Sequence, residues 1–200
     1  ELGSLSNLTY LSLAENDLSS TIPTELGNLN LLGTLDLSRN QLTGPIPIEF
    51  GNLSSLGSLQ LWSNQLTGAI PDQIGSIITL QELNLGQNLL SGSIPASLGN
   101  LINLRRIGLN ENQLTGTIPP ELGDMAMLTD LNLYSNQLTG LIPPELGNLV
   151  NLEIMDIFTN QLSGTLPVEL ALCTQLKHLE VADNLFTGTL PLAYQSLVNL

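Results

Sequence analysis

Hydrophobic residues recur along the chain with a period of 24 residues. Leucine stands at fixed distances around an asparagine, as Leu11, Leu13 and Leu18 do in the first unit. The asparagine occurs eight times at this spacing, without insertion or deletion: Asn16, Asn40, Asn64, Asn88, Asn112, Asn136, Asn160 and Asn184. A unit this short cannot bury its apolar side alone. The pattern therefore predicts units that stack into a solenoid.

Each unit also predicts its own local structure. The alternating Leu-x-Leu pair is typical of a short strand with one inward face. The asparagine follows where the chain turns, and we expect its stacked copies to form a ladder that bonds buried main-chain groups. A glycine next allows a positive φ, although the first unit has Ser20 there. The Ile-Pro pair predicts extended backbone and then the first turn of a short helix, where a carboxylate such as Glu25 is favourable.

The frame LxxLxLxxNxLxGxIPxxLGxL over residues 8 to 199 resembles the plant-type leucine-rich repeat. The resemblance implies an α/β repeat solenoid, a right-handed arc with a concave parallel β-sheet and short 3-10 or helical segments on the convex side. Residues 1–200 are expected to form a single array of about eight repeats. The paired-cysteine caps of secreted family members are missing, so we expect a piece of a longer array.

Function is implied by the resemblance rather than by any one motif. Such arrays form the extracellular regions of receptor-like kinases and receptor-like proteins in signalling and defence. The resemblance implies a peptide or protein ligand or co-receptor as the partner, and a location at the cell surface. Two alternatives stay open: a secreted inhibitor of a cell-wall hydrolase, similar to polygalacturonase inhibitors, and a structural or ice-facing repeat protein. Ice binding favours regular Thr or Asn rows, whereas the position after the glycine is mixed, from Pro45 to Thr189.

Composition and charge exclude several other functions. Lys plus Arg number 4 against 18 Asp plus Glu, a formal charge of −14, which argues against nucleic acid and anionic lipid as partners and favours a basic one. A single Cys and a single His leave no disulfide framework and no multi-histidine metal site. No phosphate-binding, metalloprotease or membrane-spanning pattern occurs. We therefore expect no catalytic residue, no metal and no cofactor. The two N-x-Ser/Thr sequences, at Asn7 and Asn52, are weak evidence for glycosylation and secretion.

The outward positions around each strand are free to vary and hold the candidate binding residues. Aromatic side chains on a face that should meet solvent are typical binding anchors, although they could also cover their neighbours. Carboxylates in adjacent units, such as Asp156 and Glu180, repel each other unless a cation, a basic partner or hydration compensates their charge. The candidate ligand-binding residues are Trp62, Tyr134, Phe158, Asn110, Asn132, Asp130, Asp156, Glu180 and Arg106.

Several other polar residues have a structural interpretation. Basic residues are predicted to pair with acidic residues one unit away: Arg39 with Glu15, Arg106 with Glu82 and Asp130, and Lys177 with Glu153. His178 is expected to be a surface histidine without a partner arrangement for catalysis. Cys173 replaces a leucine of the apolar columns and is expected to be a buried filler.

Overall fold

The computed structural model describes residues 2–197 and 199–200. Short strands and 3-10 helices alternate along the chain. The strands are β1 Tyr10–Ser12, β2 Ser19–Thr21, β3 Thr34–Asp36, β4 Gln41–Gly44, β5 Ser58–Gln60, β6 Gln65–Gly68, β7 Glu82–Asn84, β8 Leu89–Ser93, β9 Arg106–Gly108, β10 Gln113–Thr115, β11 Asp130–Asn132, β12 Thr139–Gly140, β13 Ile154–Asp156, β14 Gln161–Gly164, β15 His178–Glu180 and β16 Leu185–Phe186. The 3-10 helices are η1 Leu2–Ser4, η2 Thr24–Asn28, η3 Ile48–Asn52, η4 Asp72–Ser76, η5 Ala96–Asn100, η6 Pro120–Asp124, η7 Pro144–Asn148, η8 Val168–Leu172 and η9 Leu192–Ser196. This arrangement confirms the predicted repeat solenoid.

The Leu-x-Leu strands form one eight-stranded sheet in the order β1-β3-β5-β7-β9-β11-β13-β15. All its pairs are parallel, and the register joins equivalent positions of successive units, as Leu35 pairs with Leu59. The order follows the chain because each unit adds one strand beside the previous one. Equivalent side chains therefore form continuous columns across the sheet.

A second strip of strands was not predicted from the sequence. The segments at the glycines of the repeat frame form a second set of parallel strands. Five of these strands form one sheet, β10-β8-β6-β4-β2, and three form another, β12-β14-β16. These strands are only two to five residues long. The frame glycines have positive φ, for example 74° at Gly44 and 76° at Gly116, as the pattern predicted.

Ser20 adopts a φ of 78°, the conformation that glycine supplies in the later units. A side chain in this conformation is strained because its Cβ crowds the backbone. We expect Ser20→Gly to raise the free energy of unfolding by about 1 kcal/mol, measured by urea denaturation. Gly116→Ala is the converse control: its new Cβ would lie 3.6 Å from Ser93 Cβ, an ordinary contact, so a loss there reports backbone strain. An unchanged stability of Ser20→Gly would contradict the strain.

Each Ile-Pro step leads into a 3-10 helix, with one difference from the prediction. The proline caps the helix from outside instead of occupying its first turn: Pro119 has φ −65° and ψ 132°, which is extended backbone. Its carbonyl accepts the Leu122 N–H at 3.2 Å. The acidic residue two positions later, such as Glu121, lies in the first turn as expected.

The core consists of the stacked apolar columns between the sheet and the 3-10 helices. Leu35, Leu59 and Leu131 of the strand column are fully buried, and burial of a leucine side chain stabilises the fold by about 1.5–3 kcal/mol. Cys173 is also fully buried, and burial raises the pKa of its thiol to about 11. The thiol therefore stays protonated at neutral pH and packs as an apolar group.

The eight repeat asparagines form a ladder beside the main sheet. In Asn112, Nδ2 lies 3.1 Å from the carbonyl oxygens of Leu85 and Leu109, and Oδ1 accepts the Leu90 N–H at 3.0 Å. One side chain thus bonds the main chain of two successive units. Asn88, Asn112, Asn136 and Asn160 are buried. Asn16, in the first unit, is exposed and bonds only its own turn.

The residue before each ladder asparagine has a left-handed backbone that the sequence did not indicate. Arg39 has a φ of 54° and Glu111 a φ of 53°, although neither is glycine. The same conformation recurs in every unit, so the backbone turns there at a fixed angle. This turn directs the next side chain, the asparagine, into the ladder.

Candidate functional site

The main sheet presents its outward columns on one face, which we call the concave face. The column at the ends of the strands includes Gly108, Asn132 and Asp156, which are paired in register. The column two residues later includes Asn110, Tyr134 and Phe158. The expectation that this second column faces solvent is wrong for Ser38, which is only 3% exposed. Its hydroxyl and main-chain N–H both donate to Asp36, at 2.6 and 3.0 Å.

Tyr134 and Phe158 form an aromatic pair on the concave face. Their rings stack with centroids 4.5 Å apart and planes inclined by 5°. The Tyr134 hydroxyl donates to Glu111 Oε1 at 3.2 Å. Burial, followed by the nearby Glu111 carboxylate, raises the pKa of this hydroxyl, so it remains a hydrogen-bond donor at neutral pH. The pair is half-buried and preorganised, leaving part of both rings accessible.

Trp62 lies apart from that aromatic pair and has a neighbour of its own. The Arg39 guanidinium carbon is 5.7 Å from the Trp62 ring centroid, a cation–π distance. Arg39 Nη1 also lies 2.9 Å from Glu15 Oε1, as the sequence predicted. Part of the indole face is therefore already covered, which weakens Trp62 as a binding anchor.

Arg106 lies between two carboxylates, as predicted. Its Nη1 is 3.3 Å from Glu82 Oε1, and its Nε is 3.8 Å from Asp130 Oδ2. Asp130 also accepts the Thr129 hydroxyl. The Arg106 side chain is 66% exposed, so these pairs contribute at most about 1 kcal/mol to stability. The predicted pair of Lys177 and Glu153 is present as well, at 2.7 Å.

Asp156 and Glu180 are adjacent, and His178 of the same sheet contacts both carboxylates. His178 Nε2 lies 2.9 Å from Asp156 Oδ1 and 3.7 Å from Glu180 Oε2. His178 is exposed, as expected, but it has a partner arrangement that the sequence analysis missed. Burial is the main influence on Asp156 and raises the pKa of its carboxyl group, while His178 opposes the shift.

A depression of about 220 Å³ opens beside Arg106 on the concave face. Its lining includes Asn84, Gly108, Asn110 and Asn132. The sequence analysis did not predict it. The available signal was Gly108, at an outward position where the other units carry polar side chains.

The part of the chain that the structure describes contains no cluster of three or more His, Cys, Asp or Glu side chains suited to a metal ion. None of its helices has the length and apolar character needed to cross a membrane.

Comparison with known families identifies this repeat. A model described as "Leucine-rich repeat region" matches residues 1–137, and one described as "Leucine Rich Repeat" matches residues 127–149. The chain belongs to the leucine-rich repeat family. A search of curated proteins gave no significant match.

Solved structures of plant receptors share this leucine-rich-repeat array. The ectodomain of the membrane receptor kinase GASSHO1/SCHENGEN3 from Arabidopsis thaliana, in complex with CASPARIAN STRIP INTEGRITY FACTOR 2, is 41% identical with a TM-score of 0.99. The match covers 100% of this chain and 24% of that one. The plant peptide hormone receptor RGFR1 in complex with RGF2 is 41% identical with a TM-score of 0.98, over 100% of this chain and 32% of that one. This chain thus spans about a quarter to a third of those ectodomains.

A plant ice-binding protein is a more distant match. It is 29% identical, with a TM-score of 0.70, over 94% of this chain and 76% of that one. Its identity and TM-score are lower than those of the receptor ectodomains, so the fold of this leucine-rich-repeat array is receptor-like.

Proposed function

We propose that the chain is the ligand-binding part of a plant receptor-like kinase or receptor-like protein, and that its concave face binds a peptide or protein ligand outside the cell. Tyr134 and Phe158 are the main anchors. The polar candidates Asn110, Asn132, Asp130, Asp156, Glu180 and Arg106 select polar groups of the ligand, and Trp62 adds contact area farther along the face.

The stacked pair of Tyr134 and Phe158 is the observation that carries this proposal. Both rings are held in place before binding, so little side-chain entropy is lost when a ligand covers them. Eight parallel strands at about 4.8 Å spacing give a face roughly 34 Å long, which suits an extended peptide. The two ectodomains at 41% identity were solved with CASPARIAN STRIP INTEGRITY FACTOR 2 and RGF2 bound, which supports a ligand of this kind. The formal charge of −14 favours a basic one.

The double variant Tyr134→Ala/Phe158→Ala tests the anchors. Peptides selected from a random library against the protein serve as probes, and their affinity is measured by calorimetry. We expect the double variant to weaken binding by at least about fivefold, because aromatic anchors at the centre of an interface are typical hot spots.

A matched control is the double variant Ile78→Ala/Val150→Ala. These two side chains are 60% and 52% exposed but lie outside the strands of the main sheet. It should retain the affinity of the unchanged protein. If the aromatic variant binds every selected peptide as tightly as the control does, the concave aromatic pair is not the ligand site.

The match to an ice-binding protein favours one further assay. Ice-facing surfaces need regular rows, yet Leu141 interrupts the row after the frame glycines and is 60% exposed. We therefore expect no thermal hysteresis from this protein. The hydrolase-inhibitor alternative uses the same face, and inhibition of a pectin-degrading enzyme would support it.

A further inference from the structure

The depression beside Arg106 has Gly108 in its lining, at a position where the other units carry a side chain. Gly108 lies in register between Asn84 and Asn132 on the neighbouring strands. The carboxamides of Asn84 and Asn110 fold over two glycines: a Cβ added to Gly108 would lie 2.8 Å from Asn84 Oδ1, and one added to Gly86 would lie 2.7 Å from Asn110 Oδ1. The depression of about 220 Å³, which we call the gap, lies beside these carboxamides, with Gly108, Asn110 and Asn132 in its lining.

The charged groups around this gap are already paired with each other. Glu82 contacts Arg106 through Oε1 at 3.3 Å and accepts from Gln60 through Oε2 at 3.4 Å. Asp130 accepts the Thr129 hydroxyl and lies 3.8 Å from Arg106 Nε. A ligand carboxylate would meet these two acids, and a ligand cation would meet Arg106. The pairing therefore favours a neutral group.

The groups without partners in the gap are carboxamide atoms. Asn132 Oδ1 is shielded from solvent and accepts no hydrogen bond from the described residues. Asn84 Oδ1 accepts the Gly86 N–H at 3.1 Å, while its amide nitrogen has no acceptor among the residues that the structure describes. A shielded acceptor without a donor is unfavourable, and a ligand that supplies an N–H group removes that deficit. The site thus offers an acceptor and a donor to one small planar group.

We propose that this gap is a subsite for the side-chain carboxamide of a glutamine or asparagine in the bound peptide. The Asn132 carboxamide turns towards the gap, so that its Oδ1 accepts from the ligand amide, and the ligand carbonyl oxygen accepts from the Asn84 amide. The inference rests on the proposed function, since it assigns one position of the peptide that covers the concave face.

The test compares peptide selections on three forms of the protein. A random peptide library is selected against the unchanged protein, against Gly108→Thr, which fills the gap, and against Gly57→Thr as the matched control. An added Cβ at Gly57 meets only the Gly33 carbonyl oxygen at 3.5 Å, and the equivalent position of another unit is Thr129. We expect Gln and Asn to be enriched at one peptide position by the unchanged protein and by Gly57→Thr, but not by Gly108→Thr.

A selected peptide then gives the quantitative result. Changing its enriched Gln to Met, a neutral side chain of similar length, should weaken binding about tenfold on the unchanged protein, the loss expected when a polar contact is broken. The same change should cost less than about twofold on Asn132→Ala, which removes the acceptor. Concave-face binders without Gln or Asn enrichment, or with equal losses on both proteins, would overturn the subsite and leave the proposed function intact. A lack of any binder sensitive to Tyr134→Ala/Phe158→Ala would instead overturn both.

Discussion

Asn112→Ala is expected to lower the free energy of unfolding by about 3 kcal/mol, the largest stability effect of any single substitution considered for this chain. The Asn112 carboxamide bonds the carbonyl oxygens of Leu85, Leu109 and Asn110 and receives the Leu90 N–H. Alanine leaves the buried Leu90 N–H without its acceptor. It also removes one bond from each of the three carbonyl oxygens, which keep their bonds to Asn88, Asn136 and Gln87. Urea unfolding followed by circular dichroism measures the loss.

Asn110→Ala is the matched control, because it removes the same side chain two residues away. Asn110 points outward, and its amide donates a long hydrogen bond of 3.4 Å to Glu111 Oε1. We expect its stability change to stay below about 0.5 kcal/mol. Equal effects of the two substitutions would show that the inward and outward assignments are wrong.

Gly123→Ala is expected to destabilise the protein by about 2 kcal/mol through a different cause. Gly123 lies in η6, against η7 of the next unit. A Cβ there would overlap the Glu145 carbonyl oxygen and lie 2.7 Å from the carbonyl carbon. Main-chain atoms cannot rotate away as a side chain can, so the two units must separate locally. The loss is measured by the same urea unfolding.

Gly57→Ala provides the comparison, since an added Cβ at Gly57 makes only one ordinary contact, 3.5 Å from the Gly33 carbonyl oxygen. Its stability should change by less than about 0.5 kcal/mol. The seventh unit carries Ala171 at the position of Gly123, so alanine is accommodated where η8 meets η9. At Gly123 the units on both sides, with Gly99 and Gly147, keep the close spacing. A Gly123→Ala variant as stable as Gly57→Ala would mean that this spacing is adaptable.

The candidate site was only partly predictable from the sequence. Ion pairs between equivalent positions of neighbouring units, such as Arg39 with Glu15, follow directly from the period. Parallel in-register strands place those positions side by side. His178 reaches Asp156 diagonally, across two positions of the neighbouring strand, and a column-by-column comparison does not contain that contact. The depression at Gly108 depends on how the carboxamides of Asn84 and Asn110 are folded, which is a choice of side-chain rotamer.

The sequence by itself determined the solenoid, the main sheet, the buried columns and the asparagine ladder. These features repeat every 24 residues, so each is specified eight times and all copies must agree. Tertiary structure decided what does not repeat: the strain at Ser20, the pairing of Tyr134 with Phe158 in one stack, and the gap over Gly108. The physical reason is that the period sets the backbone position from which each side chain projects. Packing against neighbours that differ from unit to unit then decides its rotamer and its contacts.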